Sequence, residues 1–316
     1  MKLKVKIQKA KFIGVFVSAM LVLAGCRGAA NDNVANSAIP TVPMRVVTDD
    51  LGRTVNVPVK ITRIVSLAPN LTENIFAVGA GDRLVGVTTF CNYPEQAKAI
   101  AKIGDTMTPN MESIIALKPD VVFVSTASQI EAFMKTLEAD GIAVYVTNPK
   151  TLDDVFQSLL QLGELLGTRE QAAILVSNLS GRRSLLTHLV SFVEPRAERK
   201  VLTRVFVQIS KEPLFTIGKD SFLTDVIAMA YGVSVTKEVP TAYPKLSKET
   251  ASALNPDAII LSDSEDNREP NEVFKNSLAV KNGRVYEINA DILSRPGPRL
   301  VDALEQIAKD LHPDKF

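Results

Sequence analysis

Tryptophan is absent from this 316-residue chain, histidine and cysteine each occur twice, and aromatic residues make up only 6% of it. The histidines are His188 and His312, and no H-E-x-x-H, C-x-x-C, G-x-S-x-G or P-loop pattern is present. The usual signatures of zinc hydrolysis, thiol redox chemistry, acyl transfer and nucleotide hydrolysis are therefore missing. Carboxylates are scattered, and no pair is marked by its spacing as an acid–base couple. Catalysis is not expected. A one-sided charge is missing as well. Of 36 Lys and Arg, five (Lys2, Lys4, Lys6, Lys9 and Lys11) fall in the first 25 residues, leaving 31 against 35 Asp and Glu, a balance of about −4. A nucleic-acid binder would carry a basic face on its folded part, so no such partner is expected.

The apolar run near the start, Phe12 to Leu23, is too short for a membrane span, which takes about 20 residues. It follows a lysine-rich segment and leads into Leu23-Ala24-Gly25-Cys26. A basic region, a short apolar stretch and small residues describe a secretory signal peptide over 1–25. Its ending resembles a lipobox, in which cleavage leaves an acylated cysteine as the first residue. The expectation is an exported protein held by lipid on Cys26 at the outer face of the cytoplasmic membrane, or periplasmic in a two-membrane cell. Residues 26–44, rich in Ala, Asn and Ser and without periodicity, read as a flexible tether. Lipid on Cys26 leaves Cys91 without a partner, so no internal disulfide is expected, and an unpaired thiol in that compartment is either buried or used.

What the chain does have is a repeat. Residues 112–125 (E-S-I-I-A-L-K-P-D-V-V-F-V-S) and 249–262 (E-T-A-S-A-L-N-P-D-A-I-I-L-S) match at a constant offset in Glu112/Glu249, Ala116/Ala253, Leu117/Leu254, Pro119/Pro256, Asp120/Asp257 and Ser125/Ser262. Each block reads as a short helix stopped before Pro and followed by a buried strand, Val121–Val124 or Ala258–Leu261. A second echo links Val144–Asn148 with Val285–Asn289. Strands alternate with helices throughout, which predicts parallel sheets covered by helices. The first lobe, 45–167, opens with a strand at Arg63–Leu67, then Asn70 and Glu73 as a capping box for a helix through Val78, then a strand at Leu84–Val87. In the second lobe, 195–316, a strand is expected at Val201–Ile209 and helices at Asp220–Tyr231 and Arg299–Leu311. Between them, 168–194 carries Ala172, Leu175, Leu179, Leu186 and Leu189 on one stripe and no proline. A single helix there would join the lobes as a stiff strut.

Several motifs follow one another in a specific order: Asp50-x-Gly52-Arg53-x-Val55, Arg63-Ile64-Val65-Ser66-Leu67-Ala68-Pro69-x-x-Thr72-Glu73, Gly79-Ala80-Gly81-Asp82-Arg83-Leu84-Val85-Gly86-Val87, Asn110-Met111-Glu112-Ser113-Ile114, and Arg295-Pro296-Gly297-Pro298-Arg299. From Arg45 to Pro313 the chain resembles the Fe/B12 periplasmic-binding proteins of ABC importers, with that domain at about 63–314. Within the family it resembles the vitamin B12-binding proteins, through Cys91-Asn92-Tyr93-Pro94, Pro213-x-Phe215-Thr216, and Pro240-x-x-Tyr243-Pro244-x-x-Ser247-x-Glu249. The resemblance implies an α/β fold of two Rossmann-like lobes with parallel sheets bridged by a single long helix. It also implies a monomeric, non-enzymatic receptor that captures a cobalt corrinoid in the interlobe cleft and delivers it to a permease dimer with its ATPase. An iron–siderophore or haem receptor on the same scaffold, or a lipoprotein sensor docking on a signalling partner, stand as alternatives.

A corrinoid is a large, flat macrocycle fringed with amides, so its cleft needs apolar walls and a few hydrogen-bonding groups, with no protein–metal bond. Tyr93, Phe215 and Tyr243 are the expected walls, with Asp291 and Arg295 reaching polar side groups. Cys91 is a soft thiol able to approach a cobalt or iron centre. Thr106, Met107 and Ser125 stand near positions where B12-binding relatives commonly place aromatics, so a wider or wetter cleft is expected. Glu112 and Glu249, equivalent in the repeat, are the positions the resemblance assigns to permease docking, although an acid in a helix's first turn also suits the helix dipole.

Overall fold

The computed structural model describes residues 42–126, 131–191 and 202–316. The expected leader, Cys26 and all but the last residues of the tether lie outside the described residues. The chain starts with an antiparallel hairpin, β1 (Met44–Thr48) and β2 (Thr54–Pro58). Its turn explains the first motif. Gly52 takes the left-handed φ of 74° that the turn requires, and the Arg53 guanidinium returns to the buried Asp49 at 2.8 Å and to the Val144 carbonyl at 3.0 Å.

The first lobe follows: β3 (Ile64–Ser66), α1 (Pro69–Ala77), β4 (Leu84–Val87), α2 (Met111–Ala116), β5 (Val121–Ser125), α3 (Glu131–Ala139) and β6 (Ala143–Thr147). Its strands form an all-parallel sheet in the order β4-β3-β5-β6. Next come α4 (Leu152–Leu166) and the long α5 (Arg169–Ser191). The second lobe holds β7 (Thr203–Ser210), β8 (Phe215–Thr216), α6 (Phe222–Met229), β9 (Gly232–Ser234), α7 (Lys248–Leu254), β10 (Ala258–Asp263), α8 (Leu278–Lys281), β11 (Val285–Asn289), α9 (Ala290–Ser294) and α10 (Leu300–Leu311). Here β11, β10, β7 and β9 are parallel neighbours, with β8 added antiparallel to the far end of β7. Numbered by appearance in each lobe, the parallel strands run 2-1-3-4 in both. The repeat in the sequence is a repeat of topology.

The repeated residues also do the same work twice. Asp120 accepts hydrogen bonds from the backbone N–H of Thr62 and Arg63, at 2.6 and 2.9 Å, and Asp257 accepts one from the N–H of Arg204 at 2.9 Å. The Arg63 guanidinium caps the end of α2 through the Leu117 and Lys118 carbonyls, and Arg204 caps α7 through Leu254 and Asn255. Lys118 and Asn255, each just before a proline, take φ of 47° and 39°, outside the right-handed helix that the next ring disfavours. One Arg and one Asp thus fasten each helix to the start of the neighbouring strand.

Twenty-three residues of α5 reach about 35 Å. The helix packs on α4 of the first lobe and α10 of the second. Gly163 of α4 allows the close crossing: a β-carbon there would stand 2.4 Å from that of Ala172. Ala172, Leu179, Leu186 and Val190 are buried, whereas Leu189 is 40% exposed. The expected stripe is thus corrected at its last member. Val190 takes the inward place because the burial period follows 3.6 residues rather than the apolar letters alone.

Candidate functional site

In an open parallel sheet, a crevice forms at the carboxyl ends of the strands where the strand order reverses. In the first lobe that point lies between β3 and β5. Beyond β3 the chain turns at Ala68-Pro69 into α1, and β5 ends at Ser125. Facing them in the second lobe are the start of α6, the Ala242–Tyr243 loop, and the segment from Asp291 to Pro296. Two cavities of 330 and 290 Å³ lie between these groups. Both are lined by Asn70, Ser125 and Ser294, so together they make one continuous groove.

The start of α1 differs from the expected capping box. Pro69 occupies the first helical position and Ala68, extended at φ −153°, is the cap, with no side-chain cap bond. Proline's fixed φ favours that start, and it moves Asn70 inside the helix. Glu73 is thereby freed for a different task. Asn70, Glu73 and Asn74 are spaced i, i+3, i+4 on α1, and all three are buried. The Glu73 carboxylate, 3% exposed, accepts from Arg295 Nη1 at 2.7 Å and from Arg299 Nε and Nη2 at 2.8 and 2.6 Å. Arg295 also donates to Asp291 at 2.6 Å and to Asn92 Oδ1 at 2.8 Å, while Asn92 Nδ2 donates to Asp291 at 2.8 Å. Asn74 donates to the Pro296 carbonyl at 3.4 Å. Burial pulls the Arg299 pKa down, but the hydrogen bonds and charge of Glu73 more than reverse this, so the net shift is upward. The arrangement is a buried ionic clasp between the lobes on the floor of the groove.

The sequence candidates divide on this frame. Asp291 and Arg295 line the 330 Å³ cavity of the groove together with Phe90 and Thr106. Tyr93 is 47% exposed and is not among the residues that line the two cavities; the Arg299 guanidinium stands 4.1 Å above its ring. Tyr243 lines the other cavity. Its residue is 37% exposed, yet burial around its hydroxyl pushes the phenol pKa up, and a hydrogen bond with Ser221 only partly offsets this.

Phe215 is half-buried on β8, paired with Ser210 and bridged to Lys245, and is not among the residues that line the two cavities. Cys91 faces the interior, 1% exposed, where the Thr72 hydroxyl donates to its sulfur at 3.1 Å and Thr88 lies hydrogen-bonded at 3.2 Å. Its thiol is a satisfied core group and does not reach the groove. Ser125 and Thr106 do line the groove, whereas Met107 is 49% exposed and does not. Three residues that the sequence reading passed over also line it: Phe90, Asn148 and Lys150. Phe90 adjoins the Cys91-Asn92-Tyr93-Pro94 motif, which was the one available signal. Glu112 and Glu249 are exposed in the first turns of α2 and α7, behind the caps Asn110 and Ser247. The Glu249 carboxyl is held below the usual range by its own backbone N–H and by Ser247.

The periplasmic binding protein family model matches residues 64–292. An uncharacterized ABC transporter substrate-binding lipoprotein of Bacillus subtilis is 30% identical over 316 residues, covering 98% of this chain and 99% of that protein. A vitamin B12-binding protein of Vibrio vulnificus is 30% identical over 258 residues, 79% of this chain and 89% of its own. The crystal structure of the periplasmic vitamin B12 binding protein of Vibrio cholerae superposes with a TM-score of 0.68 at 28% identity, covering 80% of this chain and 97% of that one. Among the described residues no helix is long and apolar enough to cross a membrane. The chain belongs to the periplasmic binding protein family, as a substrate-binding protein of an ABC importer.

Proposed function

We propose that this protein is the lipid-anchored, extracytoplasmic receptor that captures a corrinoid in the interlobe groove and hands it to an ABC permease. The groove is the observation that carries the reading. It joins two cavities, is edged by Asp291 and Arg295 of the polar clasp and is lined by Phe90 and Tyr243, which suits a flat macrocycle with polar edges. Asp291 and Arg295 are proposed to bond the ligand's polar side groups with the donors and acceptors the clasp leaves free, and Tyr93 and Tyr243 to supply the walls. Two of the similar proteins, those of Vibrio vulnificus and Vibrio cholerae, are vitamin B12-binding proteins, which supports the same ligand class. Cys26 is proposed as the anchor, in line with the lipoprotein name of the Bacillus relative. Glu112 and Glu249, exposed at matching places on the two lobes, are proposed as contacts for the two permease subunits.

Absorption-monitored titration of the protein with cyanocobalamin, haemin and a ferric hydroxamate tests the ligand. Saturable binding of cyanocobalamin is expected; saturation by haemin or the iron chelate alone would overturn the corrinoid reading. The docking role has its own check. Glu112→Gln combined with Glu249→Gln should leave binding intact while abolishing receptor-stimulated ATPase activity in vesicles holding the transporter. Unchanged stimulation would leave both glutamates as helix-dipole residues only.

A further inference from the structure

Three polar side chains of α1 turn toward the second lobe, and they are not used alike. Glu73 is saturated by two arginines. Asn74 reaches the Pro296 carbonyl, and its Oδ1 lies where a β-carbon on Gly297 would come within 2.7 Å, so it packs against the Pro296-Gly297 backbone. Asn70, 94% buried, does neither. It lines both cavities where they join, and its Nδ2 has no hydrogen-bond partner among the described residues. A buried amide donor left unpaired is costly, and native proteins rarely keep one without use. The Nδ2 atom is shielded from solvent, but an amide's last torsion is soft, which leaves the NH₂ able to turn toward the cavities that Asn70 lines.

The surrounding charges define what that donor meets. Lys150 and Asp220 line the second cavity and oppose each other in sign, and Arg295 is already paired with Glu73 and Asp291. The groove near Asn70 therefore offers hydrogen bonds and no surplus positive charge, which suits an uncharged acceptor such as an amide carbonyl better than a carboxylate. We propose that Asn70 is the specificity-determining residue of the groove, its side-chain NH₂ donating to a carbonyl oxygen on the edge of the ligand. This rests on the corrinoid reading, in which such carbonyls ring the macrocycle.

Asn70→Leu keeps the branching at the γ-carbon and removes the polar atoms; Asn70→Asp keeps the shape and turns the donor into a charged acceptor. Each is compared with wild type for cyanocobalamin affinity by equilibrium dialysis and for melting temperature without ligand. Asn70→Leu should bind on the order of tenfold more weakly while melting at or above the wild-type temperature, since an unsatisfied buried donor is gone. Asn70→Asp should bind at least as weakly. A merely structural asparagine gives the reverse, with a lower melting temperature and unchanged affinity in the folded protein. Binding by Asn70→Leu within about twofold of wild type overturns the proposal. Should wild type take haemin or a ferric hydroxamate and refuse cyanocobalamin, the corrinoid reading falls by itself, and Asn70→Leu is judged on the probe that binds. If wild type binds none of the three, both fall.

Discussion

The lobes are joined in two places, and the joints are built from different materials. At the long helix, Leu179, Leu186 and Val190 are buried, and Arg182 reaches Asp302 and Glu305 of α10 at 2.7 and 2.8 Å with side chains 31–43% exposed. At the groove, Glu73 is 3% exposed and meets Arg295 and Arg299, 10% and 19% exposed. Water already solvates the first set of charges, so apolar burial does most of the holding there. Desolvation of the second set is offset only while every partner is in place. One joint tolerates the loss of a charge; the other requires the lobes to stay in register.

Removing one charge from each joint breaks the comparison if it is wrong. Glu73→Ala leaves two arginine heads facing each other in a buried site and should cost about 3–5 kcal/mol in denaturant unfolding. A loss below about 1 kcal/mol would place the clasp with ordinary surface pairs. Next in size is a control inside the first lobe, away from both joints. Burial, helped by Asp50 and Asp49, raises the Tyr145 pKa from 10.0 to about 12. The unfolded tyrosine releases its proton first, so this group's stability is complete below pH 10 and is lost as pH rises toward 12, by about 2 kcal/mol. Tyr145→Phe should flatten that alkaline limb, read as the unfolding midpoint against pH. The smallest effect is expected at the helix. Arg182→Ala should cost at most about 1 kcal/mol and less in high salt; a salt-independent loss of several kcal/mol would erase the difference between the joints.

Much of this frame is legible in the sequence because its signals are local. Proline after a short apolar helix, with aspartate and a β-branched run next, marks the repeat twice, and the two sheets carry it in the same strand order. Arg295 is legible through its motif. What is not legible depends on partners far along the chain. Asn-x-x-Glu is a proper capping signature, but Pro69 shifts the helix start and Arg295 and Arg299, more than 220 residues away, claim the glutamate. Cys91 sits next to Phe90, which lines the groove, while its own side chain is turned inward by two threonines. Asn70 carries only that capping signature, which says nothing of a groove. Its place becomes visible only when the second lobe closes over α1.

A frame fastened at both joints, with its groove already formed, should take up its ligand without changing shape. Small-angle scattering of the protein alone and saturated with cyanocobalamin tests this most directly. The two curves are predicted to superimpose, with the radius of gyration unchanged within error. A marked contraction on saturation would contradict the account, because it would mean that the clasp opens and the helix acts as a hinge.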